Sequence, residues 1–412
     1  MKGEQRAIGV AGPRATGHAQ ALSLFLAHFI NDSYGSFLAP LLPLIIQRLD
    51  ISLALAGLLG TVRTLTSSLS QPFLGYLSDL LGRRLFIVLG ISLSVLAMSS
   101  LGLAGNYNTL VLLLFASGLG TSLFHPAAAA LTASRRGGRG TAMALFTSGG
   151  MFGGAVAPVV IAAIVSRYTI HGVSWTIGPG LVLAIIIAWG IYRFFPPRGA
   201  WGREERRPRL NIGHLPGMLI LIWFVIVFRS LTATAFSTFL PVLLTHYGAS
   251  TLLAGAGLTV YLFAGALGGI IGGLLSDRLG QKAVIVTSML LAAPLLLLFL
   301  HLPLGWALPS LALAGFVLFA SNPVAIVAAQ ETLPGQEGLV SGLAMGLAWG
   351  VGGVALTVIG HLADIFSLSA VLTLVALLPL ISGVLALFFR PSRRIKEWPT
   401  LAGGDLGEPP LK

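Results

Sequence analysis

The chain of 412 residues contains no cysteine and little charge. Without cysteine there is no disulfide, no thiolate metal site and no thiol nucleophile. Asp and Glu number 13 and Lys and Arg 25, so charged residues make up 9% of the chain, where a soluble chain carries roughly a quarter. A compact particle in water covers itself with such residues. With 55% hydrophobic composition and a mean hydropathy of +0.90, most of this surface is expected to face lipid. Also lacking are a Gly-x4-Gly-Lys-Ser/Thr loop to cradle ATP and a His-Glu-x-x-His pair to bind zinc. No nucleophile stands out with a base and an orienting partner. The expectation is therefore not an enzyme, with no cofactor and no metal, and with any work driven by a gradient. The net charge of +12 does not signal nucleic acid, because the basic residues are scattered between apolar runs rather than gathered with aromatics on one patch.

What the chain does have is apolar runs. About 20 residues cross roughly 30 Å of hydrocarbon as a helix, and twelve runs qualify, near 21–46, 53–77, 84–104, 108–133, 140–166, 175–195, 215–245, 252–275, 281–301, 307–330, 337–363 and 367–390. The expected architecture is an all-α membrane protein of twelve transmembrane helices in two six-helix bundles. Its parts are a tail over 1–20, bundles over 21–195 and 215–390, a charged, proline-containing linker over 196–214 and a tail over 391–412. The first 20 residues are polar, and the run after them is too long and too polar at its centre for a cleaved signal. If both termini are cytoplasmic, 21 of the 25 basic residues fall in inner segments and only Arg48 and Arg167 in outer loops. That bias fixes the expected orientation.

The halves repeat. Gly75-Tyr-Leu-Ser-Asp79-Leu-Leu-Gly82-Arg83-Arg84 ends the second run and Gly273-Leu-Leu-Ser-Asp277-Arg278-Leu-Gly280-Gln281-Lys282 ends the eighth, with four matches at one offset of 198 residues. Parallel six-helix repeats are a known transporter layout, with the substrate site between the halves. The aspartate of each segment can meet a helix N-terminus or a following arginine and so act as a conformational latch. The expected latch residues are Gly75, Asp79, Gly82, Arg83, Arg84, Asp277, Arg278 and Lys282. Glycines four apart, Gly149/Gly153, Gly150/Gly154, Gly269/Gly273 and Gly342/Gly346/Gly350, are expected at close helix contacts. Glu331 and Glu337 fall in the expected inner loop between the tenth and eleventh spans, with capping or a latch to nearby arginines as their only suggested roles.

Three ionisable residues lie near span midpoints: Asp32, Arg63 and Arg229. Each costs roughly 2.5–3.5 kcal/mol at a helix centre, which calls for a partner or a watery cavity. His28, Asn31 and Asp32 share one helix face, Arg63, Ser67, Ser70 and Gln71 make a second polar stripe, and Ser117, Thr121 and His125 a third. Asp32 is expected to pair with Arg63. One acid against two arginines leaves a positive surplus suited to an anionic substrate held by Arg63, Arg229, His125 and Asn31. Asp32 and His28 are the candidates for proton coupling. A pump for apolar or cationic drugs would instead present an unpaired acid, and a non-transporting sensor would add a signalling domain.

Twelve spans in two halves with the Gly75–Arg84 segment after the second resemble the major facilitator superfamily, although Leu80 stands where that motif usually has Arg or Lys. Within it, Ala27-His28-Phe29-Ile30-Asn31-Asp32, Gly120-Thr121-Ser122-Leu123-Phe124-His125-Pro126 and Gln330-Glu331-Thr332-Leu333-Pro334-Gly335 are similar to fosmidomycin resistance-type transporters. The resemblance implies a proton-driven drug:H+ antiporter of the bacterial inner membrane, and a monomer is expected. Its partners would be protons, the lipid bilayer and a small anionic substrate such as a phosphonate antibiotic.

Overall fold

The computed structural model describes residues 13–133, 139–195, 216–333, 340 and 342–390. The linker 196–214, the tail 391–412 and most of the tail 1–20 lie outside them, as do Arg135, Arg136, Pro334, Gly335 and Glu337. Helices dominate: α1 (Pro13–Gly35), α2 (Leu38–Leu49), α3 (Leu53–Leu81), α4 (Arg83–Ser99), α5 (Tyr107–Ala133), α6 (Arg139–Tyr168), α7 (Ile177–Phe194), α8 (Gly217–His246), α9 (Thr251–Leu279), α10 (Gln281–His301), α11 (Leu304–Glu331), α12 (Ala348–Phe366) and α13 (Leu368–Leu387). Helix α1 begins inside the expected tail, with proline at the position where its missing N–H costs nothing.

Among the described residues, eleven helical segments are long and apolar enough to cross a membrane, one of them α1 and α2 joined as Gly17–Leu49. Twelve were expected. The difference is α3, 29 residues long, whose stripe of Arg63, Thr64, Thr66, Ser67, Ser68, Ser70 and Gln71 keeps it outside that set. Large apolar side chains such as Ile185, Trp189, Leu274 and Leu374 stand exposed, the surface a bilayer covers. Each half has its own apolar core, one around Leu41, Ile91 and Phe124, the other around Phe236, Met289 and Leu372.

The duplication is visible in backbone detail. Helices α3 and α9 are both 29 residues long and both start on a serine cap, Ser52 accepting from the Leu55 N–H and Ser250 from the Leu253 N–H, each at 3.2 Å. Each carries a serine that donates to the carbonyl three residues earlier, Ser78 to Gly75 and Ser276 to Gly273, both at 2.7 Å. Each ends on a glycine with positive φ, Gly82 at 117° and Gly280 at 85°. Every one of these pairs keeps the offset of 198 residues. The glycines of the repeated segment thus make a tight corner that a side chain would strain.

The corners mark one end of the molecule, called here the basic end because Arg83, Arg84, Arg278 and Lys282 sit there. The halves meet closely toward the opposite end. Thr61 of α3 donates to the Gly353 carbonyl of α12 and lies 2.8 Å from the Thr357 hydroxyl. The Val159 N–H of α6 donates to Thr259 of α9 at 3.0 Å. Asp364 of α12 accepts from the N–H groups of Leu53 and Ala54, at 2.8 and 2.9 Å, and so caps α3 from across the interface.

The expected glycine contacts hold in part. Gly149 and Gly153 of α6 abut the α1 backbone at Phe25 and Phe29. On α9 the contact is one residue out of step: Gly268 and Gly272 abut the α11 carbonyls of Phe316 and Ala320, while Gly273 faces open space. Gly342 and Gly346 also face open space, and in α12 the close approaches to α3 are made by Gly353 and Gly360. Spacing alone leaves the helix rotation open, which is why the register held on α6 and slipped on α9 and α12.

Candidate functional site: a two-arginine cavity beside a histidine–aspartate cluster

Between the halves lies a cavity of about 310 Å³. The first span breaks at Ser36–Phe37, between α1 and α2, and Gly35 and Ser36 at that break line the cavity with Arg63 and Thr64 of α3. The opposite wall is α8, which presents Arg229, Ser230, Thr234, Ser237 and Thr238, joined by Phe319 and Asn322 of α11 and Trp349 of α12. A methyl group on Gly35 would sit 2.5 Å from the Arg63 Nη2, so only glycine lets the guanidinium lie there. Arg229 is 3% exposed, and its guanidinium stands 5.9 Å from the Phe319 ring centre. The Nε atoms of both arginines are buried without a hydrogen-bond partner. No acidic residue lines the cavity, and among the described residues neither arginine makes an ion pair. Two desolvated guanidinium forks of the same sign, one from each half, suit a small anion.

Asp32 is not the partner of Arg63. It lies between two histidines, with His28 Nε2 3.1 Å from Oδ2 and His125 Nε2 3.4 Å from Oδ1. The expected pairing followed from adjacent spans, but α5 turns His125 toward α1, and His28 is one helical turn before Asp32. Asn31 donates to Asp32 Oδ1 at 3.0 Å and accepts from Ser94 at 3.2 Å, so it buttresses the aspartate. His28 is held between aromatic rings, stacked on Phe146 at 4.1 Å and tilted against Phe124 at 5.6 Å, and its Nδ1 meets the Phe146 carbonyl at 2.8 Å. Asn31 and His125, grouped with the arginines in the sequence reading, are thus placed with Asp32 and do not line the arginine cavity. Of the three expected polar stripes, the first and His125 of the third gather at Asp32, while of the second only Arg63 lines the cavity.

The expected latch residues line the basic end. Arg83 donates to Asp79 at 2.8 Å and to the Ala130 carbonyl at 3.4 Å, and Arg84 donates to the Phe195 carbonyl at 3.0 Å and covers the Tyr192 ring. These contacts of Asp79, Arg83 and Arg84 stay within their own half. Asp277 and Arg278 are exposed at the end of α9, and Lys282 opens α10. The hydroxyls of α8 were not anticipated. They follow Arg229 at intervals of one, five, eight and nine residues, a stripe readable on an otherwise apolar helix.

Two repeated halves of apolar helices, sealed together toward one end and enclosing a polar cavity, define a multi-pass membrane transporter rather than an enzyme. Comparison with known proteins agrees. A family model described as Major Facilitator Superfamily matches residues 24–355 and again 222–412. The "Fosmidomycin resistance protein" of Escherichia coli (strain K12) is 31% identical over 383 residues, covering 91% of this chain and 93% of that protein. An uncharacterised MFS-type transporter, YfnC, of Bacillus subtilis (strain 168) is 29% identical over 400 residues, covering 94% and 97%. Among solved structures, a bacterial homologue of the human lysosomal transporter Spinster superposes with a TM-score of 0.77 at 15% identity, covering 92% and 97%. The chain belongs to the Major Facilitator Superfamily and, within it, to the fosmidomycin resistance-type transporters.

Proposed function

We propose that the protein is a proton-coupled exporter of small anionic compounds, with phosphonates as the leading class, working by alternating access in the bacterial inner membrane. The observation that carries this reading is the pair of buried arginines, Arg63 and Arg229, which share one cavity without an acid. The name of the Escherichia coli relative points to the same chemistry, since fosmidomycin is a phosphonate. A cationic cargo is disfavoured because Asp32, the acid beside the cavity among the described residues, is occupied by His28 and His125. The basic end is assigned to the cytoplasm by the positive-inside bias. Asp32 with His28 supplies the coupling proton site. The repeated segment from Gly75 to Arg84, with Asp277, Arg278 and Lys282, acts as the latch that engages when the basic end closes.

The test is a thermal-shift panel on purified protein, comparing fosmidomycin, simple carboxylates and cationic dyes, repeated with Arg229→Gln. Phosphonates are expected to stabilise most, with affinity falling about 10- to 100-fold in the variant, the equivalent of a charge-assisted hydrogen bond of about 1.5–3 kcal/mol. Cationic dyes binding best, and equally well to Arg229→Gln, would overturn the anion reading.

A further inference from the structure

Counting donors and acceptors around a buried histidine fixes what it must carry. His28 Nδ1 faces the Phe146 carbonyl, which can only accept, so Nδ1 bears a hydrogen. In a neutral ring Nε2 is then a bare lone pair, and it faces Asp32 Oδ2 at 3.1 Å. An ionised carboxylate also offers only lone pairs. Two bare acceptors at that distance repel. The contact becomes attractive once a proton lies in it, whether the pair is written as imidazolium with carboxylate or as imidazole with carboxylic acid. The other contacts of Asp32 need no such proton. Asn31 donates its amide hydrogen, and His125 Nε2 can donate as a neutral ring.

The geometry points to one proton held jointly by His28 and Asp32, with the Phe146 carbonyl as the group that fixes the His28 tautomer and His125 as the relay to water. This rests on the reading that protons drive export. His28 leaves 8% of its side chain exposed, against 29% for Asp32 and 28% for His125, so exchange with the medium runs through the latter two. Loading balances when His125 takes a proton from water at Nδ1 as its Nε2 hydrogen passes to Asp32 Oδ1, which leaves Nε2 bare; release is the reverse, Asp32 returning a proton to that bare Nε2 as Nδ1 gives its hydrogen to water. The groups facing the site are few. From α3, Arg63 lies within electrostatic reach of Asp32 but makes no ion pair with it. From α4 comes Ser94, through Asn31, and from α6 the Phe146 carbonyl and the bare face of Gly150.

Gly150 supplies a means to test the contact without deleting a titratable group. A methyl there would lie 2.4 Å from His28 Nε2 and 2.6 Å from Asp32 Oδ2. The nearest atoms it meets are side-chain ends of His28 and Asp32, so Gly150→Ala displaces the two partners, whereas the packing of α1 on α6 is made by Gly149 and Gly153.

The experiment is histidine 15N NMR of the full-length protein in lipid nanodiscs, titrated with pH, for wild type, Gly150→Ala and Asp32→Asn. In wild type His28 is expected to keep hydrogen on Nδ1 throughout and to show one protonation step at Nε2. That step should move to lower pH in both variants, because each weakens the negative partner that holds the proton. A His28 step at the same pH in all three proteins would overturn the shared proton, as would a wild-type His28 whose Nδ1 lacks hydrogen. In proteoliposomes, the pH profile of fosmidomycin uptake should move in the same direction for Gly150→Ala. Wild-type vesicles that take up no fosmidomycin would sink the reading of function, while the spectra would still decide the proton site.

Discussion

A guanidinium at mid-membrane is costly, and the chain bears that cost twice in one cavity. Arg63 and Arg229 are more than positive charges, because each presents a planar fork matched to a carboxylate or phosphonate edge. Lysine in place of Arg63 keeps the charge and loses the second hydrogen bond. Arg63→Lys is therefore expected to weaken fosmidomycin binding about tenfold, and Arg63→Gln to weaken it further, as read by titration of the purified protein. Equal affinity of wild type and Arg63→Lys would mean that the fork is not used. Both arginines were legible in the sequence, because lipid makes an isolated charge conspicuous. The partner of Asp32 was not. His28 lay in plain view one turn away, but whether Arg63 or His125 faced the aspartate depended on how α3 and α5 are rotated, which spacing along one helix does not decide.

Elements were legible where a covalent rule governs them. The offset of 198 residues, read from four matched positions, turns out to hold from the serine cap of α3 and α9 to the glycine corner that ends each. Rotation and register were less legible, as the step from Gly269/Gly273 to Gly268/Gly272 illustrates. Gly82 separates the two kinds of constraint. Nothing lies within 4 Å of where its side chain would begin, so a methyl group meets no neighbour there, but φ of 117° strains any residue with a Cβ. Gly82→Ala is expected to cost about 1–3 kcal/mol and to lower the thermal unfolding midpoint. An unchanged midpoint would mean that the corner can relax into an ordinary turn, and that the glycine of the repeated segment serves something other than backbone shape.

Across the whole molecule, the arginine cavity, the proton cluster and the seal share helices. Helix α6 carries the Phe146 carbonyl and also Val159, which bonds α9 across the interface; α3 carries Arg63 and also the N-terminus that Asp364 caps. Ligand and proton therefore act on elements that close the opposite end. Asp364 is suited to a seal that must reopen, because its carboxylate is exposed and holds backbone N–H groups rather than a buried charge. A carboxylate at an exposed helix N-terminus contributes about 0.3–1 kcal/mol, enough to bias a two-state equilibrium about two- to fivefold. Ser52 still caps α3 when Asp364 is removed, so the helix survives and only the bond between halves is lost. The absence of native cysteine permits a direct reading, with spin labels on cysteines introduced at the exposed positions Leu55 and Phe366. Asp364→Ala is expected to raise the ratio of long to short interlabel distances about two- to fivefold in electron double-resonance measurements. Identical distance distributions with and without Asp364 would show that the remaining contacts, those of Thr61, Val159 and the glycines, hold the seal without it.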